Sequence, residues 1–263
     1  MFQAYKLVKN FMNRIVFITG ATSGIGKACA EKFAANGDAI IINGRRKERL
    51  LEIKNSLEER YKIGVLCAEF DVQNKEEVFE SIHSFSDQWK AIDILINSAG
   101  LALGRNYFDE ADITDWDTML HTNVNGLLYV TKAVLPFMVT RNSGHVINLG
   151  SVAGDDMYEK GNVYCATKAA VDVISRSMRI DLLRHNIKVT NIKPGAVETE
   201  FSLVRFKGDA ETAAKVYDGF KPVTATDIAD AIFYSASLPA NVCINELVIT
   251  STAQANGIFI NRG

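Results

Sequence analysis

Short apolar segments alternate with amphipathic segments along the whole 263-residue chain, and this alternation strongly limits the folds open to it. Most of the short segments are apolar nearly throughout, as in strands of a sheet that is covered on both faces. We predict strands at residues 14–19, 39–43, 65–70, 92–96, 145–149, 188–192 and 246–249. Helical periodicity marks residues 24–36, 47–60, 75–89, 113–139, 163–185 and 226–237. The pattern predicts an α/β fold, a doubly wound parallel sheet of about seven strands with helices on both faces.

The chain shows no proline-rich or serine-rich linker, internal repeat or low-complexity segment, so we predict one domain over residues 14–263. Residues 1–13 are interpreted as a short extension, in which Met12 is a candidate for the true start. Residues 202–223 are the least regular segment, with glycine, charges and two phenylalanines. This segment is the best candidate for a mobile lid.

Composition indicates a soluble, cytoplasmic protein without a nucleic-acid or membrane partner. The formal net charge of −2 provides no electrostatic basis for binding nucleic acid or an anionic membrane. No apolar run reaches the ~18 residues that a membrane-spanning helix needs. The four cysteines are widely spaced, which predicts reduced thiols in a cytosol. The four histidines show no metal-ligand spacing, so no metal site is predicted.

A glycine-rich turn, Thr19-Gly20-Ala21-Thr22-Ser23-Gly24-Ile25-Gly26, lies between the first predicted strand and the first predicted helix. Gly20 permits a tight turn, Gly24 lets the backbone approach a pyrophosphate, and Gly26 lets helix and strand pack closely. The free amides at the helix N-terminus bind the anion. In this position the turn predicts a dinucleotide site, and the alternative is a plain loop.

Two arginines follow the second predicted strand, where a dinucleotide-binding domain selects its cofactor. The sequence there is Asn43-Gly44-Arg45-Arg46, with no acid before Glu48. An acid at this place accepts a hydrogen bond from a ribose 2′-hydroxyl, whereas arginine pairs with a 2′-phosphate. The segment therefore favours NADP over NAD. The alternative is that the arginines form the solvated start of a helix.

A tyrosine and a lysine four residues apart share one face of a helix, and a nearby cation favours the phenolate. Such a pair can transfer a proton. The spacing occurs three times, at Tyr5 and Lys9, Tyr164 and Lys168, and Tyr217 and Lys221. Only Tyr164 has a serine, Ser151, at the end of a predicted strand 13 residues earlier. We therefore predict the site at Ser151, Tyr164 and Lys168.

From residue 14 onward the chain resembles the short-chain dehydrogenase/reductase family. The resemblance rests on motifs in the family's order, namely the glycine turn, Asn97-Ser98-Ala99-Gly100, Asn123 in Thr122-Asn123-Val124-Asn125-Gly126, Ser151, Tyr164-x-x-x-Lys168 and Pro194-Gly195. It implies a Rossmann-like sheet and hydride transfer with a nicotinamide cofactor.

The resemblance also implies a role for each matching residue. Tyr164 is the general acid/base, Ser151 holds the substrate oxygen, Lys168 lowers the pKa of Tyr164 and binds the ribose, and Asn123 anchors a proton-relay water. Cofactor contacts are implied for Gly20, Thr22, Ser23, Gly24, Ile25, Gly26, Arg45, Arg46, Asp71, Val72, Asn97, Ala99, Gly100, Tyr164, Lys168, Pro194, Gly195, Val197 and Thr199.

Two positions depart from the family's pattern. Ser98 stands where a second asparagine is usual, which we expect to be tolerated because the backbone shapes that turn. Ser23 is not the basic residue found in many NADP-dependent members. Binding of a 2′-phosphate therefore depends on Arg45 and Arg46.

Three segments resemble the NADP-dependent 3-hydroxy acid (serine/allo-threonine) dehydrogenase branch, at residues 43–50, 161–164 and 198–206. The substrates implied are serine, allo-threonine or related 3-hydroxy acids, and the assembly implied is a homotetramer. Arg205, in the candidate lid, could contact the substrate carboxylate, or it could pair with a surface acid. Two other functions stay open: a reductase of another carbonyl class (3-oxoacyl carrier protein, sugar, diketone or steroid), and a non-catalytic NADP-binding sensor.

Overall fold

The computed structural model describes residues 14–263, so the proposed N-terminal extension and Met12 lie outside the described residues. Its strands are β1 (Ile15–Ile18), β2 (Ala39–Gly44), β3 (Val65–Glu69), β4 (Ile94–Asn97), β5 (Gly144–Leu149), β6 (Ile187–Pro194), β7 (Val197–Glu198), β8 (Val223–Thr224) and β9 (Glu246–Ile249). Its α-helices are α1 (Gly24–Ala35), α2 (Lys47–Tyr61), α3 (Lys75–His83), α4 (Ile113–Leu120), α5 (Leu127–Arg141), α6 (Asn162–Asp181), α7 (Glu200–Arg205), α8 (Ala210–Lys215) and α9 (Ala225–Ser237).

Seven strands form one sheet in the order β3-β2-β1-β4-β5-β6-β9, and each neighbouring pair is parallel. The strand order reverses between β1 and β4, so the crevice for a ligand lies at the carboxyl ends of these strands. The predicted fold class and all seven predicted strands are confirmed. Strands β7 and β8 form a separate short parallel pair.

The apolar strands are explained by packing on both sides of the sheet. Val16 and Ile18 of β1 belong to one buried cluster, whereas Phe17 between them belongs to the other. Successive side chains of a strand point to opposite faces, so both faces must be apolar when helices cover both. Full burial of a side chain of this size stabilises the fold by roughly 1.5–3 kcal/mol.

Two predicted helices differ from the structure. The helix predicted at residues 75–89 ends at His83, and the chain then turns so that Phe85 packs edge-on against Phe17. The helix predicted at residues 113–139 is interrupted by a π-helical segment, His121–Gly126, between α4 and α5. A π-helical turn holds an additional residue, and such turns are frequent at functional sites.

The candidate lid, residues 202–223, is folded around α8 and the end of α7. The Tyr217 hydroxyl donates to the Val197 carbonyl oxygen at 2.9 Å and lies 2.8 Å from the Ser202 hydroxyl. The bond to Val197 ties the segment to β7, while the contact with Ser202 lies within the segment. Movement of the segment stays a prediction. Within residues 14–263, no helix combines the length and the apolar character that crossing a membrane requires.

Buried His145 on β5 should make stability depend on pH. Its Nε2 lies 2.7 Å from Thr190 Oγ1, and burial, helped by Lys188 and Arg14, lowers its pKa from 6.5 to about 3. Between these values the unfolded chain binds a proton that the folded chain does not. The free energy of unfolding therefore falls as the pH drops below 6.5, by about 1.4 kcal/mol per pH unit.

Urea unfolding of the wild type and of His145→Gln measures this effect. From about pH 7 to about pH 5 the wild type should lose about 2 kcal/mol more than the variant, because glutamine does not titrate. Equal losses in the two proteins would show that His145 is not the group responsible.

Candidate active site

A cavity of about 360 Å³ lies at the carboxyl ends of the strands, where the switch in strand order places it. It is lined by Ser151, Tyr164, Lys168 and every predicted cofactor residue except Asn97. The Asn97 side chain instead donates to Thr131 Oγ1 and Asn148 Oδ1, each at 2.9 Å, inside the protein. Asn97 therefore supports the ends of β4 and β5 and does not face the cavity.

The glycine turn forms a cradle that larger residues would fill. Gly20 has φ +64°, and a Cβ there would lie 2.8 Å from Ala99 Cα. A Cβ on Gly26 would collide with the Gly20 carbonyl. The Thr19 hydroxyl accepts from the backbone amides of Ser98 and Ala99, both at 3.0 Å. The turn at Ser98 is thus held through backbone amides. The glycine cradle opens onto the N-terminus of α1, as binding of a pyrophosphate requires.

Arg45 and Arg46 lie at the rim of the same cavity, which favours a binding role over a mere helix start. Arg46 Nη2 donates to Thr22 Oγ1 at 2.8 Å, and Arg45 Nη1 lies 3.3 Å from Asp71 Oδ2. The Arg45 side chain remains 63% exposed and the Arg46 side chain 44% exposed, so both can take up a further anion. This cationic rim beside the glycine cradle fits a 2′-phosphorylated dinucleotide.

Glu200 of α7 also reaches the rim, a contact that sequence reasoning missed. Its carboxylate lies 3.6 Å from Arg46 Nη1 and 3.1 Å from Arg49 Nη1. About 150 residues separate the partners along the chain, so no local spacing signals the contact. The pair joins the segment after β7 to the cofactor side of the crevice.

The predicted proton-transfer residues come together at the ends of β5 and α6. Ser151 caps the short 3₁₀ turn Val152–Gly154, accepting from Ala153 N at 3.1 Å, and its hydroxyl donates to the Pro194 carbonyl at 3.4 Å. Tyr164 and Lys168 share one buried face of α6. Lys168 Nζ donates to the Leu149 carbonyl at 2.7 Å and lies 5.9 Å from the ring centroid of Tyr164.

Burial dominates the protonation of this pair. It raises the pKa of Tyr164, as does neighbouring Tyr158, while a hydrogen bond with Ser151 and the Arg205 guanidinium act in the opposite direction. Burial also lowers the pKa of Lys168 to about 8. In this arrangement burial outweighs the downward shift that the sequence predicts for Tyr164. The phenol is therefore protonated at neutral pH, as a proton donor to a carbonyl must be.

Asn123 lies in the π-helical segment, behind the cavity wall. Its Oδ1 accepts from Leu101 N and its Nδ2 donates to Leu101 O, both at 2.8 Å, and Nδ2 also reaches Thr167 Oγ1 at 3.0 Å. A Cβ on Gly100 would lie 3.3 Å from Asn123 Oδ1 and 3.6 Å from Lys168 Nζ. Asn123 thus links the loop after β4 to α6. Its role in a water relay stays a prediction.

Arg205 does not line the cavity, but it packs against the tyrosine that does. Its guanidinium carbon lies 5.5 Å from the ring centroid of Tyr164 and 5.4 Å from that of Tyr158. Its Nη1 donates to the Tyr158 hydroxyl at 2.7 Å. Among the described residues no carboxylate forms an ion pair with Arg205, so the surface pairing considered from sequence is not observed. Sequence reasoning missed Tyr158, since no helical spacing relates it to Tyr164.

The fold and the site together define a dinucleotide-binding α/β protein with a serine, a tyrosine and a lysine side by side in its crevice. The model of the family described as short chain dehydrogenase matches residues 14–209. The chain belongs to this family of oxidoreductases, which confirms the resemblance seen in its motifs.

The similarity to named relatives extends over nearly the whole chain. It is 47% identical over 250 residues to the NADP-dependent 3-hydroxy acid dehydrogenase YdfG of Salmonella typhi, covering 94% of this chain and 99% of the relative. It is 42% identical to sulfoacetaldehyde reductase 2 of Chromohalobacter salexigens, in a match that covers 94% of this chain and 98% of the relative. The closed form of a serine dehydrogenase complexed with NADP+ has a TM-score of 0.88 at 45% identity, covering 92% of this chain and 96% of that one.

Proposed function

We propose that this protein is an NADP-dependent oxidoreductase that transfers a hydride between NADP(H) and a small 3-hydroxy acid or related alcohol or carbonyl, such as serine or allo-threonine. The observation that carries the proposal is the position of Ser151, Tyr164 and Lys168 along one wall of the dinucleotide crevice. The relatives named as NADP-dependent 3-hydroxy acid dehydrogenases, and the serine dehydrogenase solved with NADP+, support the cofactor and the substrate class.

The three residues divide the proton chemistry between them. Bound NADP(H) supplies the hydride carrier. In carbonyl reduction Tyr164 donates its proton to the substrate oxygen, and in alcohol oxidation it takes the proton back. The Ser151 hydroxyl donates a hydrogen bond to the same oxygen, where negative charge develops. Lys168, held by the Leu149 carbonyl, supplies the positive charge behind Tyr164 and binds the ribose.

At the other end of the crevice, Arg45 and Arg46 hold the 2′-phosphate. Both line the cavity, and no carboxylate follows β2 closely enough to select a free 2′-hydroxyl. The glycine cradle and the α1 N-terminus hold the pyrophosphate. Asp71 and Val72 border the adenine, while the segment from Pro194 to Thr199 borders the nicotinamide.

The substrate is a small molecule with an anionic group close to the reacting carbon. Arg205 does not line the cavity, but its guanidinium stacks 5.5 Å from the ring centroid of Tyr164, so a movement of the candidate lid would bring this cation to that group. A carboxylate separated from the reacting carbon by one carbon atom fits serine and 3-hydroxy acids, and a sulfonate in the same position fits the substrate named for the relative sulfoacetaldehyde reductase 2. The shared requirement is a guanidinium partner for a compact anion.

A substrate panel followed by NADPH absorbance tests the proposal. It compares L-serine, L-allo-threonine, other 3-hydroxy acids and sulfoacetaldehyde with 3-oxoacyl thioesters, sugars, diketones and steroids. We expect the highest kcat/KM among the small anionic compounds. Preference for a neutral or bulky carbonyl would instead support the alternative function, a reductase of another carbonyl class. Binding of NADPH without turnover of any carbonyl would support the sensor alternative.

Arg205→Ala should raise KM for L-serine on the order of 10- to 100-fold while changing KM for a small neutral alcohol little. The reason is that only the carboxylate loses a charge-assisted hydrogen bond. Arg105→Ala is the matched control, because Arg105 also approaches the Tyr158 ring, at 5.8 Å, but is exposed and does not stack on Tyr164. Equal increases for the two substrates would remove Arg205 from carboxylate recognition.

We also propose a cytoplasmic homotetramer. Large apolar side chains on α6 support association, because Val173 and Ile180, seven residues apart on one face, are 62% and 76% exposed. The four unpaired cysteines fit a reducing compartment. Sedimentation equilibrium and cell fractionation measure these properties, and a monomer or a periplasmic protein would contradict the proposal.

A further inference from the structure

A cluster of charges, centred on a buried lysine, lies behind the proton-transfer residues. Lys193 is only 3% exposed, and its Nζ is surrounded by three carboxylates: Asp172 at 2.9 Å, and Asp155 and Glu246 at 3.1 Å. Burial alone would lower the pKa of Lys193, but the hydrogen bonds that its ammonium donates to the three carboxylates raise this pKa above the ordinary value. Lys193 is therefore charged, and every one of its three donor positions has an acceptor.

All members of the cluster except Glu246 are attached to elements that carry a residue of the site. Lys193 directly precedes Pro194, whose carbonyl accepts from the Ser151 hydroxyl. Asp155 lies in the loop that begins at Ser151, just after the 3₁₀ turn. Asp172 is one helical turn beyond Lys168 and two beyond Tyr164, so it lies on the same face of α6. The lysine thus joins the serine turn to the tyrosine–lysine helix.

A second set of bonds holds this cluster in place. The Asn191 side-chain amide donates to Asp172 Oδ1 at 3.0 Å. The Oδ1 atom of Asn191 packs against Gly150, where an added Cβ would lie only 2.5 Å from it. Arg176 bridges the cluster from the solvent side, with contacts of 2.8 Å to Asp172 and 3.1 Å to Glu246. The backbone directly before Ser151 is therefore packed against the same network.

A buried ionic network of this kind is weak evidence for stability, because desolvation of the charges offsets much of their attraction. It does impose geometry, since each partner must stay within hydrogen-bonding distance of the ammonium. We propose that Lys193 is a positioning residue, which fixes the Ser151 turn against α6 and so sets the separation of Ser151, Tyr164 and Lys168. The inference rests on the proposed function, because it concerns the geometry of that reaction.

Asp155→Asn is the first test, because Asp155 is 42% exposed and its loss leaves Lys193 paired with two carboxylates. We expect kcat per NADPH-binding site to fall on the order of tenfold, and further in Lys193→Met, because small misplacements of reacting groups are costly. The dissociation constant of NADPH should change less than about threefold, since the cluster does not line the cavity. Lys193→Arg, which keeps the charge and the donors, should recover part of the lost kcat.

The pH profile separates positioning from a purely structural role. If Lys168 moves away from Tyr164, the phenolate is less favoured, so the pH of half-maximal alcohol oxidation should move upward in Lys193→Met. Glu246→Gln is the matched control: it removes a carboxylate from the same ammonium but leaves the bond between the Ser151 turn and α6, so it should change kcat less than Asp155→Asn.

Two results would overturn the inference. Lower thermal stability with an unchanged kcat per NADPH-binding site and an unmoved pH profile would make Lys193 a structural residue only. That outcome leaves the proposed function intact, because the wild type and the variants would all reduce the substrate. A wild type that turns over no carbonyl would overturn both proposals together.

Discussion

Replacement of Tyr164 by phenylalanine is expected to lower kcat for carbonyl reduction by about 10³-fold, while NADPH binds nearly as tightly as to the wild type. General acid catalysis contributes on the order of 10²–10⁴-fold to the rate. Of the α6 residues that line the cavity, Tyr164 is the one with a hydroxyl, and phenylalanine removes it. The ring itself, packed against Phe201 at 5.6 Å between centroids, is retained. The loss should therefore fall on chemistry and not on folding.

Single-turnover kinetics with bound NADPH measures the chemical step directly, and quenching of protein fluorescence measures the affinity for NADPH. Tyr217→Phe is the matched control, because Tyr217 also precedes a lysine by four residues but does not itself line the cavity. It should keep the wild-type kcat. A Tyr164→Phe enzyme that retains full activity would show that another group transfers the proton.

The double variant Arg45→Ala, Arg46→Ala should raise KM for NADPH by about 10²-fold and leave KM for NADH nearly unchanged. Each charge-assisted hydrogen bond to the phosphate contributes roughly 1.5–3 kcal/mol to binding. Because both arginine side chains are exposed to solvent, we expect the binding energy lost in the double variant to lie toward the lower end of the sum of the two contributions. Because NADH lacks the 2′-phosphate, its binding does not depend on these guanidinium groups.

The comparison of kcat/KM for the two cofactors is the measurement. Arg49→Ala serves as control, because Arg49 pairs with Glu200 at the rim but does not line the cavity. It should change the preference little. A wild type that prefers NADH, or a double variant that loses both cofactors equally, would contradict a phosphate-binding role for Arg45 and Arg46.

Much of the fold is predictable from the sequence because its signals are local. The runs around Phe17 and Ile41 are apolar throughout, since both faces of the sheet are covered, and this identifies the central strands without any knowledge of their neighbours. The glycine turn and the Tyr164–Lys168 pair are likewise read over a few residues. Their meeting in one cavity follows from parallel strands, whose carboxyl ends lie on the same side.

The remaining features depend on contacts between distant parts of the chain. Asn97 turns inward because Thr131 and Asn148, on other elements, provide acceptors for its amide. The pairing of Arg205 with Tyr158 joins residues 47 positions apart. Lys193 reads in sequence as an ordinary residue at the end of a strand, and only the fold brings three carboxylates around it.

The π-helical segment His121–Gly126 restricts how the chain can change its length. Each residue of an α-helix advances the helix by about 100° around its axis. Deletion of one residue from this segment would convert it to a regular helix, and it would turn Asn123 away from Leu101 or rotate α5 against the sheet. We therefore expect insertions and deletions to be tolerated in the surface loops of this protein and its relatives, but not in the π-helical segment.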